Sequence, residues 1–465
     1  MSKLTDFYTS IGGKHAAVVG IGISNTPLID FLLAHNVRVT ARDIKTREKL
    51  GELADALEAK GVKLVLGEGY LENMDEDIIF KAPGIRCDLP QFVSAVERGA
   101  ILTSEMELFF ELCPCKIFGV TGSDGKTTTT TLTHLLIASA NKDRTVRVGG
   151  NIGKPLLPEI ESIQPGDFAV LELSSFQLHT MKRSPFASAI TNVTPNHLNW
   201  HTDMEEYTLS KENIFLHPGN QRLVLNWDNT LTRSMADRTD AEITFFSGSC
   251  RPPLGRASAV VYERDGVIVR ETAEGIVEVL PVSDIILPGR HNVENYMTAI
   301  ALTWGYTTVE CIRDVASHFG GVEHRAEFVR EVGGVKYYNS SIDSSPTRTE
   351  AALRAFKQKV IVICGGYDKH IPYEPLAKPL CECAKTVVLV GATAPKIKDV
   401  LLASPDYHGS PAIIDAHTFE GAVTAARDAA ESGDIVILSP ASASFDLFKN
   451  FEERGNYFKE LVRKF

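Results

Sequence analysis

Long apolar runs are missing from this sequence. No window of the 465 residues approaches the roughly 20 apolar residues that cross a bilayer as a helix, so neither a membrane span nor a membrane partner is expected. An excess of basic charge is missing too. Lys and Arg number 48 against 59 Asp and Glu, a net charge of −11 and a pI of about 5.7. That argues against a nucleic-acid partner, whose binder normally carries a basic face. It leaves anionic small substrates open, because a pocket can be locally basic. Cysteine is sparse: eight residues in a chain of this length make no disulfide framework. The pairs Cys113/Cys115 and Cys381/Cys383 lack the neighbouring His or second Cys pair of a zinc site, and these thiols read as structural or incidental. Internal repeats and low-complexity segments are also lacking. The first ten residues, MSKLTDFYTS, have no long apolar core and no cleavage signature. A signal peptide is therefore not expected, and the expected location is the cytoplasm. What remains is an ordinary soluble composition, 44% hydrophobic and 23% charged, in a length that predicts about three domains.

Against that background, residues 119–131 read GVTGSDGKTTTTT. Residues 116–120 (KIFGV) predict a short buried strand. Leu132, Leu135 and Leu136 then recur at helical spacing, so strand, tight turn and helix follow one another. A polyphosphate there would meet backbone N–H groups at a helix N-terminus, with glycines letting the backbone come close. The turn comprises Thr121, Gly122, Ser123, Asp124, Gly125, Lys126, Thr127 and Thr128. Lys126 would bring charge to the outer phosphates and the Thr127 hydroxyl would hold Mg²⁺. The strict Walker A pattern has a glycine where Val120 stands. The bland alternative is an ordinary glycine-rich turn, but Gly-Lys-Thr between strand and helix favours nucleotide binding.

Upstream, residues 14–22 (KHAAVVGIG) predict a buried strand running into glycines. Residues 26–35 follow as a helix striped by Leu28, Leu32 and Leu33, and 37–41 as a second strand ending near Asp43. This is like the first half of a dinucleotide-binding unit, with Asn25 where the third glycine would stand. It fits a nucleotide-diphosphate site as well as NAD. Strands at 63–66 and 77–80 and a Pro83-Gly84 turn complete a small α/β domain. Downstream of the turn cluster at 149–153, residues 167–173 (DFAVLEL) predict a core strand with Glu172 near its C-terminal end. A carboxylate there is costly unless paired or metal-bound, and open α/β sheets place ligands beyond the C-terminal ends of their strands. A further strand over 187–193 runs into His197. A lone loop histidine is usually a satisfied structural one, but beside Glu172 and the phosphate-binding turn it reads as a ligand. Lys211 lies on the next helix, where a solvated lysine is the default. Residues 222–286 alternate short strands with turns, a β-rich part of the same domain, and 287–292 lead into another helix. From about Gly320, strands at 328–332, 335–339, 359–364, 385–390 and 434–438 alternate with helices, residues 439–451 opening the last helix. Such alternation means a largely parallel sheet covered on both faces. The expected fold is α/β in three domains, 1–104, 105–320 and 321–465.

The stretches TGSDGKTT, GNIG, LELSSFQL, NVTPNHLNWH with Lys211, LPGRHN, HRAEF, GGYDK and SPASASFDLFKNFEERG, in this order over nearly the whole chain, resemble the Mur ligases, the ATP-dependent amide-forming ligases of peptidoglycan synthesis. The likeness is strongest to the D-glutamate-adding branch. It implies a Rossmann-like N-terminal domain for a UDP-sugar, a central ATPase domain and a Rossmann-like C-terminal domain. It implies ATP and Mg²⁺ as cofactors, UDP-N-acetylmuramoyl-L-alanine and D-glutamate as substrates, and a monomer. By the same resemblance Lys126 contacts phosphates, Thr127 and Glu172 serve one Mg²⁺, and His197 with a carbamylated Lys211 serves a second. Asn292, Asn295 and Arg325 would surround the adenine nucleotide. Ser24 and Asp43 would lie at the UDP end, and Asn151, Ser174 and Gln177 nearer the muramoyl-alanine end. Lys369, Ser444 and Phe451 would bind D-glutamate.

One segment departs from that branch, which reads Asn-Asp-Ser-Lys-Ala-Thr-Asn after the first strand of the C-terminal domain. Here Asn339 is followed by Ser340-Ser341-Ile342-Asp343-Ser344-Ser345-Pro346. The usual Asp, Lys and Thr fall on Ser340, Ile342 and Ser344. Asn196 stands where an aspartate commonly precedes the histidine. A Mur-type or polyglutamate-type ligase with another acceptor therefore stays open, as does a P-loop kinase or NTPase. Glu172, His197 and Lys211 weigh against the last, since a plain kinase has no need of that set.

Overall fold

A computed structural model describes residues 3–22 and 25–465. Its apolar runs become strands buried on both faces, as βαβ chains require. In β1 (His15–Val19) alternate residues serve different cores. Ala16 and Val18 join Leu28 and Leu32 on one side of the sheet, while Ala17 and Val19 join Ile79 and Phe92 on the other. With β2 (Arg38–Asp43), β3 (Lys63–Leu66), β4 (Ile78–Lys81) and β5 (Ile101–Thr103) it forms a wholly parallel sheet of order β3-β2-β1-β4-β5. The chain reverses its winding between β1 and β4, which opens a crevice at their C-terminal ends.

The second sheet contains β6 (Lys116–Thr121), β7 (Val146–Gly150), β8 (Phe168–Glu172), β9 (Ala187–Ile190), β10 (Arg222–Asn226), β11 (Glu242–Ser247), β12 (Ala259–Arg264), β13 (Val267–Thr272) and β14 (Gly275–Pro281). Its order is β14-β13-β12-β11-β10-β9-β6-β8-β7. Only β13 runs antiparallel to its neighbours. The β-rich stretch after residue 222 thus extends the central sheet. The third sheet, order β15-β16-β20-β17-β18-β19, is formed by β15 (Glu327–Val332), β16 (Val335–Asn339), β17 (Val360–Cys364), β18 (Ala384–Leu389), β19 (Ala412–Asp415) and β20 (Ile435–Leu438). It is parallel except for the β15–β16 hairpin. Packing divides the chain into two compact units, Met1–Val282 with Glu294–Val315, and Ser283–Val293 with Ala316–Phe465. Among the described residues no helix is long and apolar enough to cross a membrane.

Three local expectations need correction. Strand β7 runs through Gly150, which the sequence reads as a turn. Strand β9 stops at Ile190 rather than Val193, because the next residues turn onto the 122–125 loop: the Ser123 amide donates to the Asn192 carbonyl at 2.9 Å. The last helix is Phe451–Arg463, capped by Asn450, and does not open at residue 439. Serines 439, 442 and 444 are buried. Serine bonds readily to nearby polar groups outside helices, and Ser442 does so here, its Oγ pairing with Tyr373 and Thr393 at 2.8 Å each.

The helix Glu105–Leu112 carries an oddity. Glu105 is only 5% exposed, and its Oε1 lacks a hydrogen-bond partner. Burial pushes its carboxyl up from 4.5 to about 7. Since the folded pKa exceeds the unfolded one, the cost of burying the charge is absent below pH 4.5, grows towards pH 7 and is complete above it. Glu105→Gln should therefore be more stable than the parent at pH 8, by up to ~3 kcal/mol at about 1.4 kcal/mol per unit. It should show no gain at the acid end. Urea denaturation at the two pH values checks both the size and the sign.

Candidate active site

Strand β6 lies between β9 and β8, in the interior of the central sheet. It ends in a turn at Gly122–Gly125 and the helix Lys126–Ala140, as the strand–turn–helix reading expects. Gly122 has φ +149°, and a Cβ there would lie 1.9 Å from Thr191 Oγ1. A side chain cannot be accommodated while Thr191 closes the turn. Gly125 is the N-cap and offers no side-chain cap, so the positive end of the helix faces the turn. Ser123 Oγ donates to the Thr194 carbonyl at 3.0 Å and pairs with the Tyr207 hydroxyl at 2.9 Å. The Asp124 amide donates to Asn192 Oδ1 at 2.9 Å. Thr121 and Thr128 are buried, and Thr127 occupies the first turn of the helix. Asn295 reaches the same helix, accepting from Thr129 Oγ1 at 3.2 Å.

Lys126 folds back over the turn, its Nζ donating to the carbonyls of Gly122 at 3.0 Å and Ser123 at 2.9 Å. Lys211, on the helix Met204–Glu212, is 1% exposed and donates from Nζ to the same Gly122 carbonyl at 2.8 Å. Its ammonium lies 4.5 Å from the Tyr207 ring centroid. Burial above all, then the charge of Lys126, drives the Lys211 pKa well below the usual lysine value, against the pull of Asp124 and Glu172. His197 sits exposed on the loop after β9 with φ +56°. Its pKa is lowered by burial of part of the ring and then by Lys126 and Lys211. Lys126, Glu172, His197 and Lys211 thus share one electrostatic neighbourhood at the C-terminal edge of the sheet.

Glu172 closes β8 and is 2% exposed. Asn151 Nδ2 donates to its Oε1 at 2.9 Å, while Oε2 is buried without a hydrogen-bond partner. Gly150 must be glycine here, since a Cβ would stand 2.1 Å from the Glu172 carbonyl. Ser174 and Gln177 form a reciprocal capping box on the short helix Ser175–Leu178, which fixes the exit of β8. Among the described residues no three His, Cys, Asp or Glu side chains gather as a metal site. The expected set draws only Glu172 and His197 from those types. The bare Glu172 oxygen fits a cation, and a neutral Lys211 amine can supply oxygen donors only after taking up CO₂.

At the first sheet, Asp43 ends β2 beside the crevice, but both oxygens are engaged. Oδ2 accepts from the Ile21 amide at 2.6 Å and Oδ1 from the Lys45 amide at 2.8 Å. Ser24 lies outside the described residues. In the second unit Asn292 Nδ2 donates to the Pro288 carbonyl at 2.7 Å. Arg325 is exposed, as is Lys369 beyond the Gly365-Gly366 turn that follows β17. Ser444 is buried on the 439–450 segment, which the Tyr367 amide ties to the same turn by donating to the Ala443 carbonyl at 2.9 Å. Phe451 opens the last helix, and Ser444 lies seven positions earlier in the chain rather than at that helix start. Asn450 caps that helix and Glu452 and Glu453 lie in its first turn, so its positive end is already compensated. Asp343 of the altered segment points inward: it is 6% exposed, its Oδ2 accepts from Ser439 Oγ at 2.9 Å, and burial pushes its carboxyl up to about 6.

Sequence reasoning missed Arg454 and Tyr207. Arg454 is buried and donates to Ser341 Oγ at 3.0 Å and to the carbonyls of Ser341 at 2.8 Å, Ala443 at 2.9 Å and Ser442 at 3.2 Å. It clamps the altered 340–345 segment to the 439–450 segment, and burial lowers its pKa to about 10. The signal was available: Arg454, Phe458 and Val462 recur at helical spacing on one buried stripe. Tyr207 stands four residues before Lys211, one helical turn away on the same face.

The turn yields a direct test. Gly122→Ala forces a Cβ into Thr191 and should destabilise by roughly 1–3 kcal/mol. It should also weaken the affinity for a fluorescent nucleoside triphosphate by at least about tenfold, as loss of a backbone phosphate cradle implies. Equilibrium titration alongside a thermal melt separates the two effects.

Three family models match the chain: the Mur ligase MurD-like, N-terminal domain at residues 14–104, the Mur ligase middle domain at 120–303, and the Mur ligase, glutamate ligase domain at 324–442. The UDP-N-acetylmuramoylalanine--D-glutamate ligase of Acetivibrio thermocellus is 49% identical, over 99% of this chain and 98% of its own. The protein of the same name from Clostridium kluyveri is 50% identical over 98% of both chains. In fold the chain is similar to the crystal structure of UDP-N-acetylmuramate-alanine ligase from Thermotoga maritima. That likeness has a TM-score of 0.55 at 18% identity, over 97% of this chain and 99% of that one. With its strand–turn–helix, its buried Glu172 and Lys211 and full-length relatives of this kind, the chain belongs to the Mur ligase family.

Proposed function

We propose that this protein is an ATP-dependent amide ligase that joins D-glutamate to UDP-N-acetylmuramoyl-L-alanine in the making of peptidoglycan precursors. The observation that carries the reading is the convergence of Lys126, Glu172 and the buried Lys211 on the turn that ends β6, in a chain 49% identical to a D-glutamate ligase over 99% of its length. A carboxylate is a poor electrophile, so it must be activated before an amine can attack. An oxygen of the substrate's L-alanine carboxylate takes the γ-phosphoryl group of ATP, and ADP leaves. The amine of D-glutamate then attacks the carbonyl carbon of the acyl phosphate, loses a proton and expels phosphate. The protein's part is to position the groups and offset charge.

In this reading the amides of residues 122–126 and the Lys126 ammonium cradle the outer phosphates, with Thr121 and Thr128 at the edges and Asn292, Asn295 and Arg325 towards the adenosine. The crevice between β1 and β4, with Asp43, takes the UDP end, to which Ser24 is assigned by resemblance alone. Asn151, Ser174 and Gln177 lie towards the muramoyl-alanine. Lys369, Ser444 and the Phe451 amide take the two carboxylates of D-glutamate. Residues 1–104, 105–320 and 321–465 serve these three tasks in turn. Mg²⁺, when bound, would neutralise the phosphates, held by Thr127, Glu172, His197 and Lys211. The Lys211 amine, its ammonium form disfavoured by burial, adds to CO₂, releasing one proton and leaving a carbamate with two oxygen donors. The reaction is cytoplasmic and the working form is a monomer.

Phosphate release with UDP-N-acetylmuramoyl-L-alanine and a panel of D-glutamate, L-alanine, glycine and L-lysine tests the reading. Release with D-glutamate alone is expected. Preference for another amino acid overturns the acceptor, and no release with any overturns the ligase. Lys369→Ala should raise the KM for D-glutamate about tenfold to a hundredfold, as loss of a charge-assisted contact does, and leave the KM for ATP unchanged.

Lys211→Ala should lose turnover by several orders of magnitude, on the order of what removal of charge stabilisation at a phosphoryl centre costs. Added formate or acetate should restore part of it by replacing the missing oxygens. Full activity of the variant without them would eliminate the carbamate.

A further inference from the structure

The helix Met204–Glu212 is held at more than the phosphate-binding turn. Two residues on it, Tyr207 and Lys211, bond to Ser123 and Gly122 of that turn. Glu206, the neighbour of Tyr207, faces the other way, towards the loop after β4. There Arg86 meets it bidentately, Nη2 to Oε1 at 2.9 Å and Nη1 to Oε2 at 3.2 Å. Arg86 Nη1 also donates to the Trp200 carbonyl at 2.8 Å, and Nε and Nη2 donate to Asp88 at 2.9 Å and 2.7 Å. Every N–H direction of the guanidinium is thus used, and its Cζ lies 5.0 Å from the Trp200 ring centroid. Trp200 Nε1 returns a bond to the Gly84 carbonyl at 2.8 Å. Glu206 Oε2 accepts a second bond from the Thr202 amide at 2.7 Å, which ties the start of the helix to the same carboxylate. The Arg86 guanidinium holds the Glu206 carboxyl down to about 2.

The loop that carries Arg86 is itself seated in the crevice of the first sheet. The Ala82 amide donates to the Val19 carbonyl at 2.8 Å, and a Cβ on Gly20 would lie 2.7 Å from the Ala82 Cβ. A continuous line of close contacts therefore runs from the Gly20 turn, through residues 82–86, across the Arg86–Glu206 pair and along the Met204–Glu212 helix to Ser123 and Gly122. Single hydrogen bonds between exposed charges contribute little. A planar, fully engaged Arg fork on one carboxylate instead fixes an orientation.

We propose that Arg86 and Glu206 are positioning residues: their ion pair sets the seat of the Met204–Glu212 helix, and through Tyr207 and Lys211 the geometry of the phosphate-binding turn. Neither residue touches the reacting atoms. The role rests on the ligase reading above for its effect on turnover, but its effect on nucleotide binding does not depend on which acceptor the enzyme uses.

The test uses full-length Glu206→Gln, Arg86→Met, Arg86→Lys and the Arg86→Met/Glu206→Gln double variant. Glu206→Gln keeps the shape and carries the test if Arg86→Met fails to fold. The first readout is titration with a non-hydrolysable ATP analogue in Mg²⁺, in the absence of other substrates. Both single changes should weaken binding by about fivefold or more. The double variant should be no weaker than the worse single, because the two residues act as one unit. Arg86→Lys should recover only part, lacking the fork. The second readout is steady-state phosphate release. There kcat should fall at least about tenfold, on the scale of a small misplacement of reacting groups, while the KM for D-glutamate stays within about twofold. Unchanged nucleotide affinity in both single variants, or effects that multiply in the double, would overturn the proposal. So would a loss seen only as a raised KM for the UDP-substrate, which would make Arg86 a substrate contact. An inactive parent would condemn the ligase reading alone, leaving the nucleotide titration to decide this one.

Discussion

Two lysines donate to one carbonyl oxygen, that of Gly122, and the centre of the molecule is arranged around that fact. Two ammonium groups that share one acceptor oxygen repel by a few kcal/mol at an effective dielectric of about 20. The carbonyl offsets only part of this. Something must give, and burial decides which. Lys126 is half-buried at the turn, where it can meet an anion. Lys211, sealed against the Tyr207 ring, has its ammonium form disfavoured by desolvation and again by its neighbour. A lysine in that state is a nucleophilic amine within reach of CO₂, next to a carboxylate oxygen on Glu172 that no protein group satisfies. On the reading proposed above, the site sets Lys126 beside two groups, Glu172 and Lys211, suited to hold a metal cation.

That arrangement depends on the backbone coming unusually close at three places. Gly122 lies against Thr191, Gly125 against Asn295 and Gly150 against the Glu172 carbonyl. Each contact joins the end of a strand or helix to a neighbouring strand, helix or loop at the edge of the sheet. Groups held in place this way can stabilise charge without reorganising at the moment of reaction. The uncapped start of the Lys126–Ala140 helix adds its dipole to the same point.

Much of this was legible in the chain. The strand expected at residues 116–120 is Lys116–Thr121, and the helix follows at Lys126. Glu172 does close a core strand. Three α/β sheets follow from the alternation of apolar runs and helical stripes. Periodicity reports which residues are buried; it carries no information on what they meet. Arg86 and Glu206 are 120 positions apart, and nothing in either neighbourhood points to the other. The irregular 439–450 segment resembled a helix start because its serines and apolar residues fit one, and the bonds that Arg454 donates to the Ser442 and Ala443 carbonyls are among the contacts that hold it unwound. Asn450, a strong N-cap, marked the true boundary. Asp43, expected at the UDP end, accepts from two backbone amides, partners that the sequence does not reveal.

The second unit resolves its unusual segment by the same logic of satisfied partners. A carboxylate at position 343 would oppose an acidic acceptor if it faced solvent. Instead Asp343 turns inward onto Ser439, and burial makes its protonated form easier to reach. Ser341 is claimed by Arg454, and Ser340 Oγ accepts from the Ala326 amide at 3.1 Å. Of the segment only Ile342, Ser344 and Ser345 keep appreciable exposure. None is charged. Lys369 and Arg325 are exposed cations on this unit's turns, each beside a strand end or a hairpin where ligand groups collect. The substitution of Ile342 for a lysine therefore removes a charge without adding a competing one. On the reading proposed above, the burden of recognising a dicarboxylate then falls on Lys369, which stands on a glycine turn that the Arg454 clamp holds in place from behind.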